Sequence, residues 1–269
     1  MSALDGDTRR VLVWALVAFL VWAVAAYLLL PRLWRHHEHQ PGIKHMPMVT
    51  QTKQGIPGDP INVGLVGSED DILHAMAEAG WRPADPVTLK SSIAIVGSVL
   101  LRRPDPEAPV SPLFYGGRQQ DLAFEKEVGR SADRRDHVRF WKVLDKGVED
   151  APVWLGSATY DRGVGVSHYT GAVTHHIGPD VDAVRGLLID DLKAAGVVRT
   201  AYQVTGLGPT LFGRNGGGDP YYTDGEIWFA RLMPNGEKNA DPPTIVTPPP
   251  AVVFKDAVWK QVAGLVGAE

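Results

Sequence analysis

Hydrophobic and polar positions divide the chain into stretches of different period. From Val11 to Leu30, VLVWALVAFLVWAVAAYLLL runs without a charge. As a helix rising about 1.5 Å per residue, such a run reaches about 30 Å, the thickness of a bilayer's hydrocarbon. Trp14, Tyr27 and Trp34 lie towards its ends and Arg9, Arg10, Arg32 and Arg35 bracket it, which puts amphipathic rings and cations near the interfaces. Ala23-Val24-Ala25 has the form of a signal-peptide cleavage site, but the apolar run continues through Leu30. The segment therefore reads as a retained single-pass anchor. The flanking arginines balance and set no orientation; the extracytoplasmic face is the expectation for the rest of the chain, since a large domain is translocated behind such an anchor whatever its own charge.

After the anchor, the segment up to Pro60 has repeated prolines and no sustained apolar period, so it reads as a linker. Its His36, His37 and His39 beside Arg35 read as interfacial polar groups. The folded pattern starts at INVGLVG, a short apolar strand, followed by Ser68 and Asp71 spaced as a capping box. Ile72, Leu73, Met76 and Ala79 then recur at helical spacing and Gly80 closes the helix. A second strand–helix unit follows the same plan: GAVTHHIG leads to Pro179 or Asp180 at a helix entry, Val184, Leu187, Leu188 and Leu192 share a face, and Gly196 ends it. Asp180 and Asp182 are explained by that entry, where negative charge is favoured by about 0.3–1 kcal/mol. A third helix is expected over Pro86–Leu101, with Asp85 as its cap.

Between these units the period changes to two. In QQDLAFEKEV and HVRFWKVL, Leu122, Phe124, Val138 and Phe140 alternate with Glu125, Glu127, His137 and Arg139, the mark of half-buried strands. The simplest hairpin sets Glu125 against Arg139 and Glu127 against His137, with Ser157 and Thr159 of the next strand on the same side. One face of the sheet is then apolar and the other polar. Glu–Arg pairs on a solvated sheet stabilise the pairing by about 0.2–1 kcal/mol with no ligand involved. The same face also gathers Arg118, Asp121, Glu125, His137, Arg139, Asp161 and Arg162, groups suited to anion binding and proton transfer. The strands VVRTAYQVTG and GEIWFARLM come later, joined by a glycine-rich loop that lacks the G-K-[ST] ending of a phosphate cradle. On VTHHIG, His175 shares a face with Val173 and Ile177 and is expected on the apolar layer, leaving His176 for the polar site beside His137, Arg139 and Asp161.

The pattern thus predicts an anchor with its flanks over 1–35, a Pro/His-containing linker over 36–59, a folded domain over 60–233, and a proline-rich spacer with an amphipathic segment over 234–269. The domain is expected to be α+β: two layers, a mainly antiparallel sheet with helices on one face, the two strand–helix units suggesting a split βαβ plan. A formal charge of −4 and the lack of an arginine-rich stripe exclude nucleic acid as a partner. Without cysteine, thiolate catalysis and cysteine metal sites are excluded.

The stretches INVGLVGSEDDILHAMAEAGWRPADP, GSVLLRRPDPEAPVSPLFYGGRQQDLAFEK, DHVRFW, ATYDRGVG and THHIGPDVDAVRGLLIDDLKAAG, in this order, resemble the LssY-like C-terminal domain over about Pro60 to Gly206. The resemblance implies a bacterial membrane context, the family's domain sometimes following type-2 phosphatidic-acid-phosphatase or DedA-like modules. Here it follows a single apolar segment and no acid-phosphatase signature, so the resemblance does not bring lipid-phosphate hydrolysis with it.

Two classes of function fit these residues. A binding or accessory module of the cell envelope needs only a stable sheet and a recognition surface, and no nucleophile–base–orienter set, metal motif or cofactor fingerprint stands out. The alternative is a membrane-tethered hydrolase acting on an anionic envelope or lipid-linked substrate. In it His176, His137 and Asp161 carry the proton chemistry and Arg118, Arg139 and Arg162 hold the anion. The expected partners are the bilayer, through the N-terminal helix, and an envelope protein or lipid-linked ligand. No cofactor is specified and no metal ligand set is expected.

Overall fold

The structure is a computed structural model that describes residues 6–29, 40–86, 88, 90, 112–128, 134–206, 208 and 211–266. Its N-terminal element is α1, Gly6–Val24, continued by a π-helical turn over Ala25–Leu29. Together they make 24 residues, long and apolar enough to cross a membrane, and none of the span is buried by the rest of the chain.

Residues 40–60, expected as linker, carry structure of their own. Strands β1, Val49–Gln51, and β2, Pro57–Pro60, pair antiparallel. The Gln40 side chain donates to the Tyr202 hydroxyl at 3.0 Å and to Glu149 at 2.6 Å. After β3, Val63–Val66, comes α2, Glu69–Glu78, with the expected capping box: Asp71 N–H donates to Ser68 Oγ at 3.1 Å and Ser68 N–H to Asp71 Oδ2 at 2.8 Å. Its C-terminus closes on Gly80 at φ +80°, with Trp81 N–H returning to the Met76 carbonyl, the bond pattern that satisfies a helix's last carbonyls. Then follow β4, Arg82–Pro83, β5, Phe114–Tyr115, β6, Arg118–Gln119, β7, Leu122–Glu127, β8, Arg135–Leu144, β9, Val153–Val166, and β10, Val173–Ile177. Most of the helix expected over Pro86–Leu101 lies outside the described residues. Helix α3, Val181–Ala194, is capped by Asp180, which accepts from the Asp182 and Ala183 amides. The chain ends with β11, Val198–Thr205, β12, Phe212–Arg214, β13, Pro220–Tyr222, β14, Glu226–Leu232, β15, Thr244–Ile245, and α4, Pro250–Val266.

The main sheet has the order β15-β11-β14-β3-β9-β8-β7-β4, with β10 paired to the far end of β9. Its pairs are antiparallel except β3 with β14 and β11 with β15, so the fold is the mixed α+β type expected. The unit β3–α2–β4 is a split βαβ crossover with β9, β8 and β7 between its strands; the second unit is not, because β10 and β11 run in opposite directions.

Alternation along the strands assigns the two faces. Val63, Leu65, Phe124, Val138, Phe140, Trp154 and Ala158 pack against Ile72, Met76, Leu188 and Leu192 of α2 and α3. The opposite face, expected to be polar, is apolar along part of its length: Trp141, Val153, Leu155, Tyr202 and Phe229 pack with Ile43, Ile61, Leu113 and Tyr115. A small sheet of order β2-β1-β5-β6 covers that part, and only the remainder of the face is polar. Helix α4 is tied to the main sheet by a hydrogen bond from Gln203 to Asp256 and by the Lys255–Glu226 ion pair.

Candidate functional site

The polar part of the second face is built by three neighbouring strands. Arg135, His137 and Arg139 of β8 stand opposite Asp161, Thr159 and Ser157 of β9. Glu125 of β7 stands opposite His137, and Glu127 opposite Arg135. This register is two positions from the expected one, because Arg135 belongs to β8 and not to the preceding loop; a shift of two leaves every side chain on its predicted side. His137 is buried between two carboxylates, with Nδ1 3.0 Å from Asp161 Oδ2 and Nε2 3.3 Å from Glu125 Oε2. Arg135 donates to the same Glu125 oxygen at 3.0 Å.

A β-bulge decides which residue of β10 joins them. His176 pairs with Gly163, but Ile177 pairs with Asp161, so β9 carries Arg162 as an extra residue. One extra residue exchanges the sides of everything beyond it. Val173, His175 and Ile177 therefore share the side of Asp161, and His176 takes the other side. The expected assignment is corrected by this bulge: His175 reaches the polar site and His176 does not approach His137. The neighbouring Gly163 adopts φ +149°, a conformation that side-chain-bearing residues rarely hold.

His175, Asp161 and Arg139 line a cleft of ≈ 270 Å³, closed by Thr52, Ile56 and Asp59 of the β1–β2 hairpin and by Ser167, Asn215 and Gly216 of two loops. Arg139 Nη1 lies 3.4 Å from Asp59 Oδ2. Arg139 Nε and His175 Nε2 are buried and have no hydrogen-bond partner among the described residues. These free groups lie in a strongly charged setting. Burial pushes the Asp59 carboxyl above its ordinary value, and Arg139 offsets this only in part. Burial also pushes Asp161 up, but His137 and then Arg139 outweigh it and hold the carboxyl low. For His137 burial opposes protonation, yet Asp161 and Glu125 prevail and raise the imidazole. His175 has the opposite outcome: burial lowers it, Asp161 only partly compensates, and His137, Arg135 and Arg139 repel its charge. The cleft is thus lined by an imidazole disposed to stay neutral and by an arginine whose Nε has no partner among the described residues.

Of the residues predicted to form the site, His137, Arg139 and Asp161 come together. His176 lies outside, its Nδ1 2.7 Å from Asp219 Oδ1, and Arg162 Nη2 stands 3.8 Å from the same oxygen. Arg118 is on β6, half-exposed, bonded to Asp121 and to the Lys142 carbonyl. Asp59 and Asn215 went unrecognised in the sequence because they lie in segments that read as linker and loop. Gly163 inside the alternating ATYDRGVG was the signal available for the bulge.

A family model described as LssY C-terminus matches residues 43–227. The chain belongs to the LssY C-terminus family. No curated protein and no solved structure matches it. The LssY C-terminus match runs from ahead of β1 into β14, so every cleft residue from Thr52 to Gly217 falls within it. With its apolar N-terminal helix, this chain is an LssY C-terminus domain protein fitted for membrane association.

Proposed function

We propose that this protein is a membrane-tethered binding module of the bacterial cell envelope, whose LssY C-terminus domain takes a small anionic ligand, such as a lipid-linked headgroup, in the cleft above Arg139. The observation that carries the reading is that Arg139 and His175, whose Nε and Nε2 are buried and free of partners among the described residues, both line one concave site. An open sheet surface would not impose that arrangement. The balance of charge agrees with it. Asp161 is matched by His137 and Asp59 by Arg139, while Lys53 adds a cation at the cleft.

The test is calorimetric titration of the detergent-solubilised full chain with inorganic phosphate and glycerol 3-phosphate. Saturable binding that weakens in Arg139→Lys and His175→Ala supports the reading. Arg139→Lys keeps the charge facing Asp59 but loses the planar set of donors. Binding unaffected by both substitutions, or no binding, sinks it.

The same cleft favours a second reading, a hydrolase, because a neutral imidazole with an unpartnered Nε2, lining the cleft with an arginine, suits a general base. Turnover of p-nitrophenyl phosphate that disappears in His175→Ala would select it over a binding module.

A further inference from the structure

On the outer side of β10, away from the cleft, a second cluster forms. His176 Nδ1 is 2.7 Å from Asp219 Oδ1, and the His168 ring lies 5.7 Å, centre to centre, from that of His176. A ligand atom from each of His168, His176 and Asp219 falls within 4.8 Å of the other two. Zinc-type ions bind imidazole nitrogen and carboxylate oxygen at about 2.0–2.2 Å, so three ligands around one ion stand about 3–3.5 Å apart. Small rotations of the side chains span the difference.

The surroundings hold this arrangement in place. Asp219 Oδ2 accepts the Ile177 N–H at 3.1 Å, and the Asp219 N–H donates to Asn215 Oδ1 at 2.8 Å, which aims Oδ1 at the imidazole. His176 lies against Gly165, where a Cβ would stand 2.3 Å from Nε2; His168 lies against Gly218, where a Cβ would stand 2.7 Å from its own Cβ. Two glycines therefore make room for the two rings. Asp219 is buried, His176 half-buried and His168 exposed, so the fourth position of a tetrahedral site opens to solvent. Arg162, 3.8 Å from Asp219 Oδ1 and half-exposed, is the cation an incoming ion displaces.

We propose that His168, His176 and Asp219 bind a divalent transition-metal ion of the zinc class. The two histidines and one carboxylate suit zinc or cobalt, and they suit magnesium or calcium poorly, since those ions prefer oxygen ligands. For His176 to ligate through Nδ1, its proton moves to Nε2. The site ties the β9–β10 connection, which carries His168, to the loop that carries Asp219. Both segments wall the cleft through Ser167 and Asn215, so the ion acts as a latch on its rim.

The experiment uses the tag-free full chain in detergent, stripped with chelator and dialysed against Zn²⁺ alone, with metal content and melting temperature as readouts. The expected result is about one zinc per chain and a rise in melting temperature, as for any ligand that binds only the folded state. His168→Ala removes an exposed ligand and should weaken binding at least about tenfold, with the metal-free melting temperature unchanged. Asp219→Asn, which retains an acceptor for the Ile177 amide, should weaken binding likewise. A chain with His36, His37 and His39 all changed to Ala should bind as the parent does. Zinc uptake unchanged in His168→Ala and Asp219→Asn, uptake lost with the His36–His39 tract, or no uptake at all overturns the proposal.

Discussion

His175 and His176, neighbours in sequence, serve opposite sides of one strand: the first lines the cleft with Arg139 and Asp161, and the second holds Asp219 at 2.7 Å. Their substitutions should therefore separate. His175 Nε2 has no partner among the described residues, so His175→Ala should abolish the proposed ligand binding with a stability change under about 1 kcal/mol. His176→Ala leaves the buried Asp219 carboxylate without its imidazole and should cost about 1–3 kcal/mol. Denaturant unfolding of the two variants checks this, and equal losses would contradict the assignment.

The set around His137 predicts a stability maximum in mild acid. The raised His137 contributes fully below its ordinary value of 6.5, and its contribution is lost as the pH climbs through the folded-state value. The lowered Asp161 and Glu125 contribute fully above their ordinary values of 3.8 and 4.5, and lose that contribution as the pH falls through the folded-state values. The window shared by all three is about pH 4.5–6.5. Asp136, which burial pushes up to about 6, works in the opposite sense there, as do the raised Asp59 and the lowered His175, so the comparison with His137→Gln is the informative one. That variant should lose about 3 kcal/mol near pH 5.5, as when one partner of a buried ion pair is removed. The deficit should shrink towards pH 8, as followed by urea unfolding across that range.

Arg185 of α3 makes two 2.8 Å hydrogen bonds to Asp224, with Asp182 at 3.1 Å and the Glu226 carbonyl at 3.2 Å. It joins the helix to the entry of β14. Arg185→Ala should destabilise by about 3–5 kcal/mol because it strands buried carboxylates. Arg185→Lys should recover only part of this, since an ammonium cannot make the paired contact. Thermal melts of the two variants give the comparison.

The bulge makes Gly163 a sensitive position. Gly163→Val places a β-branched residue at φ +149° and should cost more than about 1 kcal/mol. It should also disturb the direction of His175, so phosphate binding in the cleft should fall together with the melting temperature. Unchanged binding in Gly163→Val would mean that the bulge does not aim His175.

Full-length protein should partition with membranes and need detergent for release, because Gly6–Leu29 is an apolar helix that nothing in the described structure buries. Recovery of the full chain in the soluble fraction, or a mature N-terminus at Ala26, would refute the retained anchor.

Much of the architecture was legible in local chemistry. An uncharged run of bilayer length, Ser68 and Asp71 at capping-box spacing, Gly80 and Gly196 at helix ends, and alternation around Phe140 each follow from nearest-neighbour geometry, and each recurs in the structure. The polar belt was legible too, since alternation fixed Glu125, His137 and Arg139 on one side even with the register two positions out. What the sequence could not determine depended on partners distant in the chain. Whether the second face was open or covered rested on β1, β2, β5 and β6, short strands in segments with little period of their own. Which histidine met Asp161 rested on a single extra residue at Arg162. A side-chain period of two is local, but its phase relative to the rest of the sheet is set by cross-strand hydrogen bonds, and one bulge reverses it. Sequence alone therefore determined that β10 has two distinct sides, and only the tertiary pairing decided which side faces the cleft.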